Sequence, residues 1–319
     1  MITNLAFVLT LAISATAAPL FAESSLAELD GQAAKHLAKR HRFRRLVVFG
    51  DSFSGDGHGA WVFSNHTWPA DPAYYNHAFS NGPVWPVILA GALRIRDKLT
   101  DKAIAGATSD NAVVQGYTGV DSNIPIPSAL DQITQYIAQN PRPHDADGSL
   151  YAIVIGANDI FRNPTISPDS AIQVITKGMK QLQDNQGASN FILASYPDFT
   201  LLPFAKSAPP QYKAALSAYS KALADSLSLL VNNPPNGTRI AYIDMYNLFP
   251  PVLADPERYG FSPSVAGQNC ISGVFSDENV PRSVCSDPEN RVFWDIFHPS
   301  AKAHRLMAAE AVKALTKVF

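Results

Sequence analysis

Short runs of consecutive apolar residues alternate along this chain with longer stretches in which apolar residues recur every three or four positions. Leu46-Val47-Val48-Phe49-Gly50 is the first such run; Ala103 to Ala107, Tyr151 to Gly156, Phe191 to Ser195 and Arg239 to Asp244 are four more. Their lengths suit strands, and turn-forming residues end them. Four of the five carry Val, Ile or Phe nearly without interruption, the pattern of a parallel strand covered on both faces. Helical spacing falls between and after them. Ser128 to Ala138 puts Leu130, Ile133 and Ile137 on one stripe, and Tyr212 to Leu230 does so with Leu216, Tyr219, Leu223, Leu227 and Leu230. A last helix is predicted from Ser300, just after Pro299, to Val318. This alternation predicts a single open α/β sheet with right-handed crossovers. Ligands in such sheets lie beyond the carboxyl ends of the strands, so the residues that follow each strand are candidates for chemistry.

The N-terminus reads differently. Leu5 to Ala18 is an apolar run ending in small residues. It is too short to span a bilayer and has the form of a secretion signal, with Ala15-Thr16-Ala17 as an A-x-A cleavage site. The usual Lys or Arg near its start is missing, and a buried N-terminal helix is the alternative. The expected division is residues 1–17 as signal peptide, 18–45 as a basic leader with a dibasic Lys39-Arg40 and Arg44-Arg45, and 46–319 as one domain. No later stretch has transmembrane length, so a soluble, secreted, extracellular protein without stable membrane insertion is expected. Apolar residues at 46% and charged residues at 16% suit a packed core. A net charge of −2 gives no reason to expect nucleic acid. Cys270 and Cys285 are the only cysteines, and in an oxidising compartment they can form a disulfide. It would close a loop of about 15 residues, worth ~3 kcal/mol by chain entropy. Asn65-His66-Thr67 and Asn236-Gly237-Thr238 are N-glycosylation acceptor sequences.

Chemistry follows the predicted strand ends. Gly50-Asp51-Ser52-Phe53-Ser54 comes directly after the first run, where a serine would stand exposed above the sheet, in a turn opening into a helix. Alone it is weak, because a given tripeptide occurs by chance in roughly one chain in 25 of this length. Gly156-Ala157-Asn158-Asp159 ends the third run, and Asn158 could aim amide N–H groups at the same place. Gly106, in Ala105-Gly106-Ala107-Thr108, offers a backbone N–H without side-chain obstruction. Near the end, Asp295 stands three residues before His298. A carboxylate so placed can bind the imidazole Nδ1–H and leave Nε2 free to accept a proton. None of the eight histidines forms a metal-ligand spacing, so no metal and no cofactor are expected. Each feature has a bland counterpart in a turn serine, turn asparagine, turn glycine or surface Asp–His pair. Their ordered combination at one sheet edge is what acyl transfer requires.

The blocks Gly-Asp-Ser-Phe-Ser, Ala-Gly-Ala-Thr-Ser, Gly-Ala-Asn-Asp and Asp-Ile-Phe-His-Pro resemble the four that define the SGNH hydrolases, or GDSL esterase/lipase family, from about Leu46 to Phe319. The resemblance implies a three-layer α/β/α flavodoxin-like fold with a central five-stranded parallel sheet. It also implies catalytic Ser52, Asp295 and His298, with an oxyanion hole from the Ser52 and Gly106 N–H groups and the Asn158 side chain. Ser80-Asn81-Gly82-Pro83-Val84-Trp85 and Pro125-Ile126-Pro127-Ser128 further resemble secreted fungal members grouped with carbohydrate acetylesterases. Two departures, Gly55-Asp56-Gly57-His58 and Asn76-His77-Ala78, fall where the family's usual patterns differ and bear on the substrate pocket.

The expectation is therefore a cofactor-free, monomeric esterase acting on small-molecule or oligosaccharide esters, short-chain acetyl esters first and lipid acyl esters second. Trp61, Trp68 and Trp85, with Phe63, Tyr74, Tyr75 and Phe79, follow the nucleophile and are expected chiefly to pack this insertion against the sheet edge. A conventional α/β-hydrolase would need G-x-S-x-G, which Gly50-x-Ser52-x-Ser54 does not supply. A dinucleotide fingerprint also fails at Gly55-x-Gly57-x-Gly59. A catalytically silent carbohydrate-binding relative is the rival from another class.

Overall fold

Both faces of strand β1 (Arg45–Gly50) are dry, with Leu46, Val47, Val48 and Phe49 fully buried, as its unbroken apolar run requires. The computed structural model describes Leu37 and residues 43–141, 148–276 and 278–319. The expected signal peptide and most of the basic leader lie outside the described residues. Leu37 and Phe43, from the stretch expected to be leader, are buried in the core, and the Phe43 ring meets Phe319 edge-on at 5.2 Å.

Strands β2 (Leu99–Asp101), β3 (Ser149–Val154), β4 (Asn190–Ala194) and β5 (Arg239–Ile243) complete one parallel sheet in the order β2-β1-β3-β4-β5. Helices α1 (His58–Phe63) and α2 (Trp85–Ala92) lie between β1 and β2, and α3 (Ala129–Gln139) between β2 and β3. Helices α4 (Ala157–Arg162) and α5 (Asp169–Gln186) follow β3, α6 (Pro210–Asn232) follows β4, and α7 (Met245–Ala254) and α8 (Ala301–Val318) follow β5. The chain steps outward one way from β1 to β2 and the other way from β3 onward. With right-handed crossovers, that reversal puts helices on opposite faces. Helices α2 and α8 pack together on one side, and α3, α5 and α6 pack in series on the other. The result is the three-layer flavodoxin-like order, in which the reversal opens a crevice at the carboxyl ends of β1 and β3.

Helix starts obey local rules. Ser128 and Asp131 form a reciprocal capping box on α3, and the Ser300 hydroxyl accepts from Ala303 N at the start of α8.

The second strand departs from expectation. Leu99–Asp101 is a three-residue, half-buried edge strand with no apolar run to announce it. Residues 103–107 form a loop. Lys102 N and Ile104 N still donate to Val48 O (2.8 Å) and Gly50 O (3.0 Å), so this loop continues along β1 and is buried like a strand without being one.

Candidate active site

At the end of β1, Gly50 adopts φ 152°, and a Cβ there would collide with the Val154 carbonyl of β3. The Gln132 side chain on α3 bonds both backbone groups of Gly50, accepting from its N–H and donating to its carbonyl at 2.9 Å each. Beyond this anchor the chain makes one tight turn, with Ser54 N and Gly55 N both donating to Asp51 O. The Asp51 carboxylate is fully buried and accepts from Phe53 N (3.0 Å) and the Tyr196 hydroxyl (2.6 Å). Burial pushes its pKa up to about 6, against those two hydrogen bonds. Ser52 stands in this turn. Helix α1 begins only at His58 and has six residues, so the turn leads into a helix but not directly from Ser52; the serine's position is fixed by Asp51, Gln132 and the turn.

Ser52 Oγ lies 2.8 Å from His298 Nε2, and His298 Nδ1 lies 2.8 Å from both carboxylate oxygens of Asp295. A ring nitrogen between two carboxylate oxygens carries the proton, which leaves Nε2 as the acceptor for the Ser52 hydroxyl. Asp295 is fully buried and completely engaged. Its Oδ1 also accepts from Phe297 N and His298 N, each at 2.8 Å, and its Oδ2 accepts from the Tyr74 hydroxyl at 2.9 Å. Burial, then the Asp295 charge, raises the Tyr74 pKa well above the usual phenol value, so it remains a donor. Backbone ties hold the segment too: Cys270 N and Ile271 N donate to Trp294 O, and Trp294 N donates to His298 O. The Cys270–Cys285 disulfide closes the loop from which two of those bonds come.

Gly106 and Asn158 meet this centre across the sheet reversal. Gly106 has φ 90°, and any Cβ would strike the Tyr117 carbonyl, so only glycine fits this close approach. Asn158 Nδ2 donates to Ala107 O at 2.9 Å, which leaves its second amide hydrogen for a ligand. Asp159 fastens the same two segments, accepting from Ser109 N and Ser109 Oγ at 3.1 Å. Among the described residues, neither Ser52 N nor Gly106 N donates to a protein acceptor. Ser52, Gly106, Asn158 and His298 all line one cleft of about 360 Å³.

Trp68, Phe79, Phe161, Phe275 and Phe297 line that cleft, their rings in contact in series. Phe79 lies 4.8 Å from the His298 ring, centroid to centroid. Thr118, Asp121, Ser122 and Arg162 also line it. The aromatic insertion therefore divides by task. Trp68 and Phe79 reach the cleft, and Tyr74 holds Asp295. Trp85 is buried and donates to Ser54 Oγ, while Trp61 stacks on His77 at 3.5 Å outside the cleft. His58, at the exposed start of α1, and Asp56 also lie outside it. Asn65 and Asn236 are exposed. The sequence alone missed Tyr74, Tyr196, Gln132 and Arg162. Tyr74 lies 221 residues from Asp295 along the chain and has no local signal.

Among the described residues no group of His, Cys, Asp or Glu side chains is arranged to hold a metal ion, and no helix is long and apolar enough to cross a membrane.

The family described as GDSL-like Lipase/Acylhydrolase matches residues 46–311. The chain is 26% identical over 291 residues to a thermolabile hemolysin of Vibrio parahaemolyticus, covering 86% of this chain and 64% of that protein. It is 26% identical over 294 residues to an acetylesterase of Thermothelomyces thermophilus, covering 84% and 87%. Among solved structures, a lipolytic G-D-S-L family protein from Veillonella parvula aligns with a TM-score of 0.45 and 12% identity, covering 84% of this chain and 96% of that one. With the family match running from β1 into α8, the chain belongs to the GDSL-like lipase/acylhydrolase family, whose members are carboxylic ester hydrolases.

Proposed function

We propose that this chain is an exported serine esterase that removes short acyl groups, chiefly acetyl, from carbohydrates. Ser52 attacks the ester carbonyl while His298, oriented by Asp295, takes the hydroxyl proton. The Ser52 and Gly106 N–H groups and the Asn158 amide stabilise the oxyanion, at roughly 3–4 kcal/mol for each well-placed donor. His298 then protonates the departing alcohol and activates water to release the acyl group. One observation carries this reading: an unbroken chain of 2.8 Å contacts from Ser52 through His298 to Asp295, opening into the cleft. Export is supported by the apolar N-terminal run, the disulfide and the exposed acceptor asparagines Asn65 and Asn236. The acetylesterase relative and the polar residues lining the cleft favour a sugar ester. The aromatic rings lining the same cleft favour a lipid acyl chain as the second reading.

A fluorophosphonate should label Ser52 in the wild-type protein, and Ser52→Ala should lose ~10³–10⁶-fold in turnover. Near-normal turnover in that variant, or absence of labelling, ends the proposal. A p-nitrophenyl ester series from acetate to palmitate separates the two substrate readings, with acetate expected to be fastest.

A further inference from the structure

Arg162 is the one lysine or arginine among the residues lining the cleft, and nothing in the acyl-transfer chemistry requires it. It lies on α4 four residues after Asn158. Residues at that spacing share a helix face, about 6 Å apart along the axis, and both Asn158 and Arg162 line the cleft. The side chain is held in place: Nη2 donates to Tyr117 O at 2.9 Å, and the guanidinium carbon lies 5.1 Å from the Tyr117 ring centroid. Tyr117 O is also the group that packs against Gly106. The cation's position is thus set by the segment that positions the Gly106 N–H.

Its charge is uncompensated. Elsewhere Arg282 pairs with Asp71, Arg291 with Asp287 and Arg305 with Glu289. Among the described residues no carboxylate pairs with Arg162, although it is half-buried and its Nε is fully buried without a hydrogen-bond partner. Asp121, the one carboxylate lining the cleft, is exposed and makes no ion pair with it. A cation partly withdrawn from water without a counter-ion is unfavourable unless a ligand supplies one. A planar guanidinium with free N–H groups suits a carboxylate better than a neutral hydroxyl.

We propose that Arg162 reads an anion on the substrate, and that the ester is carried on an acidic saccharide whose hexuronate carboxylate binds the guanidinium. This rests on Ser52 acting on carbohydrate esters and adds the charge of the preferred sugar chain. The exposed Ser122, which lines the same cleft, suits a sugar hydroxyl flanking that carboxylate.

The test compares an acetylated oligosaccharide containing a hexuronic acid with its twin in which the carboxyl has been reduced to a primary alcohol. Wild type should favour the acid by roughly 10–100-fold in kcat/KM. In Arg162→Met, which keeps an unbranched stem beside Tyr117, the acid-to-alcohol ratio should fall to about one. Because the ratio is taken within each variant, a general loss of activity cancels. If the methionine variant does not fold, Arg162→Lys serves: it keeps the charge without the planar fork, and its ratio should fall severalfold. A wild-type ratio near one, or an unchanged ratio in the variant that folds, overturns the proposal. So does an anion preference seen only between a monoacyl phospholipid and its neutral monoacylglycerol, which would assign the cation to a lipid phosphate. Hydrolysis of p-nitrophenyl acetate by the wild type is measured alongside. If it proceeds while the ratio is one, Arg162 is misassigned and the esterase reading stands; if it is absent, the esterase reading fails first.

Discussion

Tyr74 shows how much a single distant side chain can decide. Among the described residues Asp295 is the only carboxylate hydrogen-bonded to His298, and it sits where water cannot reach it. Every lone pair it directs inward must find a donor, and Tyr74 supplies the last. Hydrogen bonds to a buried charge are worth roughly 1.5–3 kcal/mol. Tyr74→Phe keeps the ring contacts with Phe79 and Trp294 and removes only the hydroxyl. The expected result is a kcat lower by about tenfold with KM for a neutral ester unchanged, because Tyr74 acts on substrate only through Asp295 and His298. A variant with lowered thermal stability and unaltered kcat would make Tyr74 purely structural. This is also where the sequence stopped being readable. Ser52 and Asn158 are legible because they follow strand ends, and Asp295 and His298 because they precede the last helix, whereas Gly106 lies in a loop and is legible only through the sequence block that carries it. Tyr74, Tyr196 and Gln132 are ordinary aromatic and helical residues until the fold brings them to Asp295, Asp51 and Gly50, and no local pattern encodes those meetings.

At the level of elements, legibility followed burial. Strands β1, β3 and β4 are fully covered, so their sequences are continuous and apolar, whereas β2 at the edge needs only three residues and leaves no run to find. The loop 103–107 was mistaken for a strand because it is buried under the same constraints. A similar argument applies to the disulfide-closed segment. The paired residues are 15 apart, a closure worth ~3 kcal/mol of stability. Its base donates two hydrogen bonds to Trp294 O, directly before Asp295, and its Phe275 lines the cleft. Replacing both cysteines with serine should therefore lower the melting temperature and, in the surviving folded fraction, slow turnover. Calorimetry with single-turnover kinetics checks both effects. If melting temperature and acylation rate match wild type, the bridge neither stabilises the fold nor steadies the Asp295 segment.

Across the whole molecule, the convergence of strand ends places buried charges close together, and this makes stability depend on pH in a definite sense. Burial pushes the carboxyls of Asp51 and Asp159 from 3.8 up to about 6. Between about pH 4 and 6 the folded chain therefore holds protons that the unfolded chain has already released, and stability contributed by these groups falls as pH rises through that window. Above it both carboxylates are ionised in the fold at full cost; below it the cost disappears. His304 acts in the opposite sense. Buried on α8 and near His298, it is held down to about 3 from 6.5, so the unfolded chain takes up a proton first and acid destabilises the fold. These slopes partly cancel in the wild-type profile, and a single substitution is needed to expose one of them. Asp159→Asn retains an oxygen acceptor for Ser109 and removes the ionisation. A rise from 3.8 to about 6 corresponds to up to about 3 kcal/mol. Relative to wild type, the variant should thus gain stability by up to that amount between pH 4 and 7, read from denaturant midpoints at each pH. A difference that stays flat across this range would mean that the Asp159 carboxyl ionises as easily in the fold as in the unfolded chain, and that its hydrogen bonds from Ser109 already offset its burial.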